Sequence, residues 1–312
     1  MTAMGISRGD WPRFAVVGAG AVGGFFGGML ARAGAPVVMI GRKPFVEALK
    51  AKGLVLDTLS FKETVSVEAA TDISAARGAD IVLLCVKTTD IAEAARALAP
   101  FVAPETVVLS LQNGVDNIER IRAAANLAAL PAVVYVAVSM PEPGYVKHVG
   151  RGDLIIGPEN ARTTMLAGLF ARAGVPCRIT GNIEGELWVK LIANCALNAV
   201  SALGRAQYGR IAANADARSV MQAIVAEVLA VARAAHVALP GVEDTSKAMQ
   251  VAMNIASQMT QAMSSTAQDL NRGKHTEIDS INGLIARRGL ELGVATPVNY
   301  TLFTLVKLAE DR

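Results

Sequence analysis

Between Glu184 and Leu203 the sequence reads EGELWVKLIANCALNAVSAL, an apolar stretch interrupted by Lys190, Asn194 and Asn198. Four residues turn a helix about 40° past one full turn and advance it about 6 Å. The spacing therefore predicts a single polar stripe, with Leu187, Trp188, Leu191, Ile192, Cys195, Leu197 and Val200 around it. A helix that is apolar nearly all round is a buried one. An ammonium and two amides on it need partners, because each unsatisfied buried polar group costs a few kcal/mol. A bound polar ligand meets that need; so does water, if the helix is only half-buried. An ammonium, with a reference pKa of about 10.4, carries its proton at neutral pH. It can protonate the alkoxide that forms as a ketone accepts a hydride. The two amides can hold hydroxyl groups of the same molecule. This is the chemistry of a dehydrogenase that lacks a histidine acid. His148, His236 and His275 are scattered and show no metal-ligand spacing.

A second polar cluster follows. Ser264, Ser265 and Thr266 precede Asp269, and then comes Lys274-His-Thr-Glu277-Ile-Asp279-Ser-Ile-Asn282-Gly283. Thr276 is an N-cap residue type and Glu277 would open a helix. A carboxylate in a first helical turn is favoured by the helix dipole, so Glu277 has a structural reading beside a functional one.

The third feature is Gly18-Ala19-Gly20-Ala21-Val22-Gly23, after an apolar run and before a helical pattern. In a dinucleotide-binding turn the first glycine permits the tight bend and the second lets a pyrophosphate approach the backbone. The third lets helix and strand pack closely, and the helix N-terminus faces the anion. Phe14 to Ala31 is uncharged, and its competing reading is a signal peptide or membrane helix. Its six glycines disfavour that reading, since each costs about 1 kcal/mol in a helix. Where an NAD site carries an acidic residue, about 20 residues on, this chain has Gly41-Arg42-Lys43. Two cations without a carboxylate suit a 2′-phosphate, so NADPH is expected; otherwise they open a solvated loop. Lys87 and Gln112-Asn113-Gly114 end later apolar runs, at the strand ends where open α/β sheets bind ligands. Asn113 has the plain alternative of a turn residue.

These groups need elements to position them. Apolar runs at Arg13–Val17, Pro36–Ile40, Ala79–Val86, Thr106–Leu111 and Val133–Met140 alternate with helical patterns over 22–33, 44–52, 89–98 and 116–125. Leu54–Ala69 reads as two short strands, and Tyr145–Val149 with Asp153–Ile156 as a hairpin. A helix over 163–173 and a short strand at 176–179 follow. Such alternation predicts a doubly wound, Rossmann-type α/β sheet. After Asn182 only helical periodicity recurs, over 184–203, 215–236, 244–272, 276–292 and beyond Pro297. The expected domains are 12–181, binding NADPH, and 182–312, helical, carrying substrate and catalysis.

Composition limits the alternatives. The chain has 312 residues, 52% hydrophobic and 18% charged, with a net charge of +3. It is too apolar for a disordered chain. Aromatics at 4% argue against a base-stacking platform. Cys85, Cys177 and Cys195 are odd in number and far apart, so a reducing cytoplasm is expected.

Together these residues resemble the ketopantoate reductase family (2-dehydropantoate 2-reductase). The glycine turn is shared by many families; Glu186-Leu-Trp-Val-Lys190…Asn194…Asn198 and His275-Thr-Glu-Ile-Asp-Ser-Ile-Asn-Gly283 are specific. The resemblance implies reduction of ketopantoate to pantoate by NADPH, on the route to pantothenate. It implies Lys190 as general acid, and Asn113, Asn194, Asn198 and Ser265 as substrate contacts. It also implies that Asn113 and Glu277 reach the cofactor. Some relatives have a further amide about ten residues past Asn198, a region that here reads Gly204-Arg-Ala-Gln-Tyr208-Gly209. The expected partner is a small 2-oxo acid, with no metal, nucleic acid or membrane; a homodimer is left open. Competing readings are a reductase of another 2-oxo acid, a β-hydroxyacid dehydrogenase, and a non-catalytic NADP(H)-binding protein.

Overall fold

The structure, a computed structural model, describes residues 11–311. The chain divides into two compact units, one of residues up to Gln112 with Asp116–Ile183, the other of Asn113–Val115 with Glu184 onward. A single crossing near residue 181 thus misses one detail. Residues 113–115 belong with the second unit, where Asn113 is hydrogen-bonded and Val115 packs on the helical core.

The first unit comprises β1 (Phe14–Val17), α1 (Ala21–Arg32), β2 (Val37–Ile40), α2 (Lys43–Lys52), β3 (Leu54–Asp57), β4 (Lys62–Val65), β5 (Glu68–Ala70), β6 (Ile81–Leu84), α3 (Ile91–Leu98), β7 (Val107–Ser110), α4 (Asn117–Ala125), β8 (Leu130–Glu142), β9 (Tyr145–Ile156), α5 (Ala161–Arg172) and β10 (Cys177–Ile179). Its strands lie in the order β4-β3-β9-β8-β7-β6-β1-β2-β5, with β10 beside β9. β1 is parallel to both β2 and β6, so the strand order reverses at the β1/β6 junction. That is the position where doubly wound sheets bind ligands.

All residues of β1, β2, β6 and β7 are buried. Successive side chains point to opposite faces, and both faces are covered. Phe14, Val16, Met39 and Leu83 pack with Phe26 and Leu30. Ala15, Val17, Val38 and Val82 pack with Ile91, Leu98 and Ile121. A strand covered on both sides has no polar face to show, which is why these runs read as continuously apolar.

Two strand readings change. Leu54–Ala70 holds three strands rather than two. The hairpin expected within Tyr145–Ile156 is instead one strand, β9, antiparallel to the long β8. Its turn signal, Gly150-Arg151-Gly152, is a bulge. Arg151 and Gly152 adopt φ of 56° and 128°, and the register with β8 slips there. An inserted residue bends a strand without reversing it.

The second unit is built from α6 (Ile183–Gly204, its first residue in the first unit), α7 (Tyr208–Ala213), α8 (Ala215–Ala234), α9 (Thr245–Gln258), α10 (Ser265–Asn271), α11 (Asn282–Leu292) and α12 (Pro297–Glu310). α6 is long and apolar enough to cross a membrane, but 67% of that window is buried inside the protein, as in a core helix. Trp188, Leu191 and Ile192 pack with Met221, Ile224 and Val228 of α8 and Ile285 of α11.

The helical pattern over 244–272 is broken at residues 259–264. There the carbonyls of Thr260 and Ala262 accept from Gly209 and Tyr208, the start of α7, a helix that the periodicity did not show. Likewise 276–292 is not one helix: a 3-10 turn at Ile278–Ser280 precedes α11, with Ile281 at φ −118° and ψ −105° between them.

Candidate active site

In the first unit the glycine turn follows β1 and opens α1, whose N-cap is Gly20. Its glycines are required for different reasons. Gly18 has φ +92°, and a Cβ there would lie 2.6 Å from the backbone nitrogen of Val86, just beyond β6. A Cβ on Gly23 would lie 2.5 Å from the Gly18 carbonyl and 2.9 Å from Val16. At Gly20 a Cβ would meet nothing within 4 Å. Only the middle glycine is free of any packing demand from the protein, as a backbone left bare for a ligand would be. No acidic residue occupies the first turn of α1, and no side chain caps its N-terminus. The free N–H groups and the dipole therefore suit a pyrophosphate. Ala19, Ala21 and Val22 complete the turn.

Arg42 is exposed at the end of β2 and is the N-cap of α2, with Lys43 exposed beside it. Lys87 is half-buried beyond β6, where it caps a short 3-10 turn. The turn, Arg42 and Lys87 thus follow three adjacent parallel strands.

The second unit holds the polar stripe. Lys190 Nζ donates to Asn113 Oδ1 at 2.8 Å. Asn113 Nδ2 donates to Glu277 Oε2 at 3.0 Å. An ammonium can only donate and a carboxylate only accept, so the orientation of the Asn113 amide is fixed. Asn113 joins a cation and an anion while being neutral itself, and Gly114 at φ +104° makes the turn that follows it. All three side chains are half-buried, within reach of both core and solvent.

One turn on from Lys190 is the half-buried Asn194, and one further is Asn198, only 3% exposed. The stripe thus runs from half-buried to buried along α6. Tyr208 OH donates to Asn198 Oδ1 at 3.3 Å, and Asn198 Nδ2 lies 3.5 Å from Ser265 Oγ. The two serines divide their work. Ser264 is buried; its hydroxyl donates to the backbone carbonyl of Asn198 at 3.0 Å and accepts from Ala267 N as the N-cap of α10. Ser265 is exposed and presents its hydroxyl at the first turn of that helix.

The chain as a whole is similar to known proteins. The family model described as ketopantoate reductase PanE/ApbA matches residues 14–161, and the model for its C-terminal part matches residues 182–310. The chain belongs to the ketopantoate reductase family. A PanE/ApbA family ketopantoate reductase from Ralstonia eutropha JMP134 is 49% identical over 96% of this chain and 98% of its own, with a TM-score of 0.90. The 2-dehydropantoate 2-reductase of Pyrococcus horikoshii is 32% identical over 95% of this chain and 97% of its own. A D-mandelate dehydrogenase, 24% identical over 96% of this chain and 98% of its own, shares the fold with a TM-score of 0.89. In this chain a Rossmann-type unit is followed by a helical one.

The second unit thus brings Lys190, Asn113 and Glu277 together, and separately Asn198 and Ser265. Tyr208 carried no sequence signal for holding Asn198, ten residues away; only the packing of α7 puts its hydroxyl there. Asn282 was legible as part of a motif but not for what it does. It is fully buried, and its Nδ2 donates to the Cys195 carbonyl at 3.2 Å and to Asn299 Oδ1 at 2.9 Å. It thereby ties the start of α11 to the backbone of α6. Burial pushes the thiols of Cys85, Cys177 and Cys195 up, the second to about 12, so none supplies a thiolate nucleophile at neutral pH.

Proposed function

We propose that the protein is an NADPH-dependent 2-dehydropantoate 2-reductase, making pantoate for pantothenate synthesis in the cytoplasm. The observation that carries this reading is the hydrogen-bonded chain Lys190–Asn113–Glu277, in a member of the ketopantoate reductase family. The turn from Gly18 to Gly23 would hold the pyrophosphate, Arg42 the 2′-phosphate, and Lys87 another polar part of the cofactor. When bound, NADPH supplies the hydride that the oxo carbon receives. Lys190 gives a proton to the oxo oxygen as it becomes an alkoxide. One of its three N–H donors is committed to Asn113, which fixes the direction of the ammonium. The family resemblance assigns Asn113 and Glu277 to the cofactor, and Asn194, Asn198 and Ser265 would hold the acid's carboxylate and distal hydroxyl.

The test is NADPH oxidation with ketopantoate against 2-oxoisovalerate, which lacks only the hydroxymethyl group. A site that reads a hydroxyl penalises its absence, and water filling the gap moderates that. A preference for ketopantoate of roughly 10²–10³ in kcat/KM is expected. Equal rates would assign the stripe another substrate. NADPH should be preferred to NADH, and Arg42→Asp should weaken NADPH more than NADH, because it sets a carboxylate against the 2′-phosphate.

One observation favours a second reading, a different 2-oxo acid. Tyr208 OH donates to Asn198 Oδ1, so one of the two acceptor positions of that oxygen is already taken. In Tyr208→Phe both acceptor positions of that oxygen become open to a substrate hydroxyl. A preference for ketopantoate that appears only in this variant would support the second reading.

A further inference from the structure

α12 ends on Glu310, whose side chain is only 2% exposed. Its Oε1 accepts from the backbone N–H of Thr276 at 2.8 Å and from the Thr276 hydroxyl at 2.5 Å. Its Oε2 accepts from Lys307 Nζ at 2.8 Å and lies 3.5 Å from His275 Nδ1. Helix stability does not explain a carboxylate here. The C-terminal end of a helix carries the negative end of the dipole, which disfavours an anion, and burial disfavours it further. The compensation comes from its donors, and two of them belong to the residue next to Glu277.

The rest of that segment is held on the same helix. The Thr276 hydroxyl also accepts from Ile278 N at 3.2 Å, and Asp279 accepts from Lys307 Nζ at 3.2 Å. Glu277 therefore lies between two residues anchored on the last turns of α12. Its own side chain accepts from Asn113, which holds Lys190. Continuous hydrogen bonding thus runs from Glu310 through Thr276, along one peptide unit to Glu277, and on to Lys190.

We propose that Glu310 is a positioning residue for the reduction: by fixing Thr276 it holds Glu277 against Asn113, and through Asn113 it sets the direction of the Lys190 ammonium. This rests on Lys190 being the proton donor proposed above. The test is a double-mutant cycle with the full chain. Glu310→Ala should lower kcat roughly tenfold and weaken NADPH no more than loss of the Glu277 side chain does. In a Glu277→Ala background, which removes the acceptor for Asn113, it should cost almost nothing more, because contacts that act through one another are not additive. Equal losses in both backgrounds would mean a general structural role and would overturn the proposal.

A second measurement is independent of catalysis. Amide hydrogen exchange across residues 275–281 should accelerate in Glu310→Ala and partly in Glu310→Gln, with α6 still protected. Unchanged exchange in that segment would overturn the proposal. Should Glu310→Ala not fold, Glu310→Gln, which keeps one acceptor, is carried through the same cycle and exchange. If the parent protein reduced no 2-oxo acid, the functional reading would fail, while exchange would still decide whether Glu310 holds the Glu277 segment.

Discussion

The Asn113 carbonyl oxygen accepts a hydrogen bond from Lys190 Nζ at 2.8 Å across 77 positions of sequence. The amide end of the same side chain donates to Glu277. A neutral side chain with one acceptor end and one donor end is what this bridge requires; an acid or a base in its place would clash in charge with one neighbour.

Asn113→Asp tests that requirement. It keeps the shape and the Lys190 contact, but turns an amide–carboxylate bond of 3.0 Å into an encounter of two carboxylates. Like charges so close raise the pKa of the pair. Turnover at neutral pH should fall roughly tenfold or more and recover in part as the pH is lowered and one carboxyl regains a proton. A kcat profile over about pH 5 to 8 checks this. A uniform loss without recovery would locate the defect elsewhere.

Lys190→Ala removes the proton donor. Turnover should drop by roughly 10²–10⁴, the usual range for a general acid. Cofactor affinity, measured by fluorescence titration, should change little, because the glycine turn belongs to the other unit. Near-normal turnover would remove Lys190 from the chemistry.

Gly20 and Gly23 should separate ligand space from packing. Gly23→Ala puts a methyl group 2.5 Å from the Gly18 carbonyl, and overpacking of this kind costs about 1–3 kcal/mol. Its melting temperature should fall by several degrees. Gly20→Ala meets nothing within 4 Å, so the stability of the ligand-free protein should stay within about 0.5 kcal/mol of the parent. NADPH affinity should nevertheless weaken at least about tenfold, since the new methyl group stands where the pyrophosphate approaches the backbone. Unchanged affinity would show that the turn does not hold the cofactor in this way.

Acid stability should depend on Glu310. Burial pushes its carboxyl up, but hydrogen bonds from Lys307 and Thr276 and the charge of Lys307 outweigh this, and its pKa is lowered overall. The groups that face it are Lys307, Thr276 and His275, with Asp279 sharing Lys307. A lowered folded-state pKa contributes stability above the unfolded value of about 4.3, and this is lost as pH falls through the folded value. The difference in urea midpoint between the parent and Glu310→Gln should therefore be largest near neutral pH and shrink below about pH 4.3. A difference independent of pH would contradict the assignment.

Much of this protein is determined by local sequence. β1, β6 and β7 are legible because strands buried on both faces need continuous apolar runs. The glycine turn is legible because a left-handed bend and close backbone contact exclude side chains, and such exclusions are written as glycine. The spacing of Lys190, Asn194 and Asn198 fixes their common face, since helical geometry alone decides it. What each of those groups touches was decided only by tertiary structure. Asn113 reaches Lys190 from 77 positions away, and Glu277 reaches Asn113 from 164 positions away. Tyr208 turns the Asn198 amide because α7 takes its first hydrogen bonds from the loop at 259–264, the loop that also breaks the helical pattern of 244–272. Glu310 looks in sequence like one more charge on an amphipathic helix. Its burial against Thr276 depends on the packing of α12 beside the 3-10 turn, a long-range contact that no periodicity records. Propensity and spacing act within a few residues of chain. Hydrogen-bond partners across a core follow from the packing of whole helices, and that is settled only when the chain has folded.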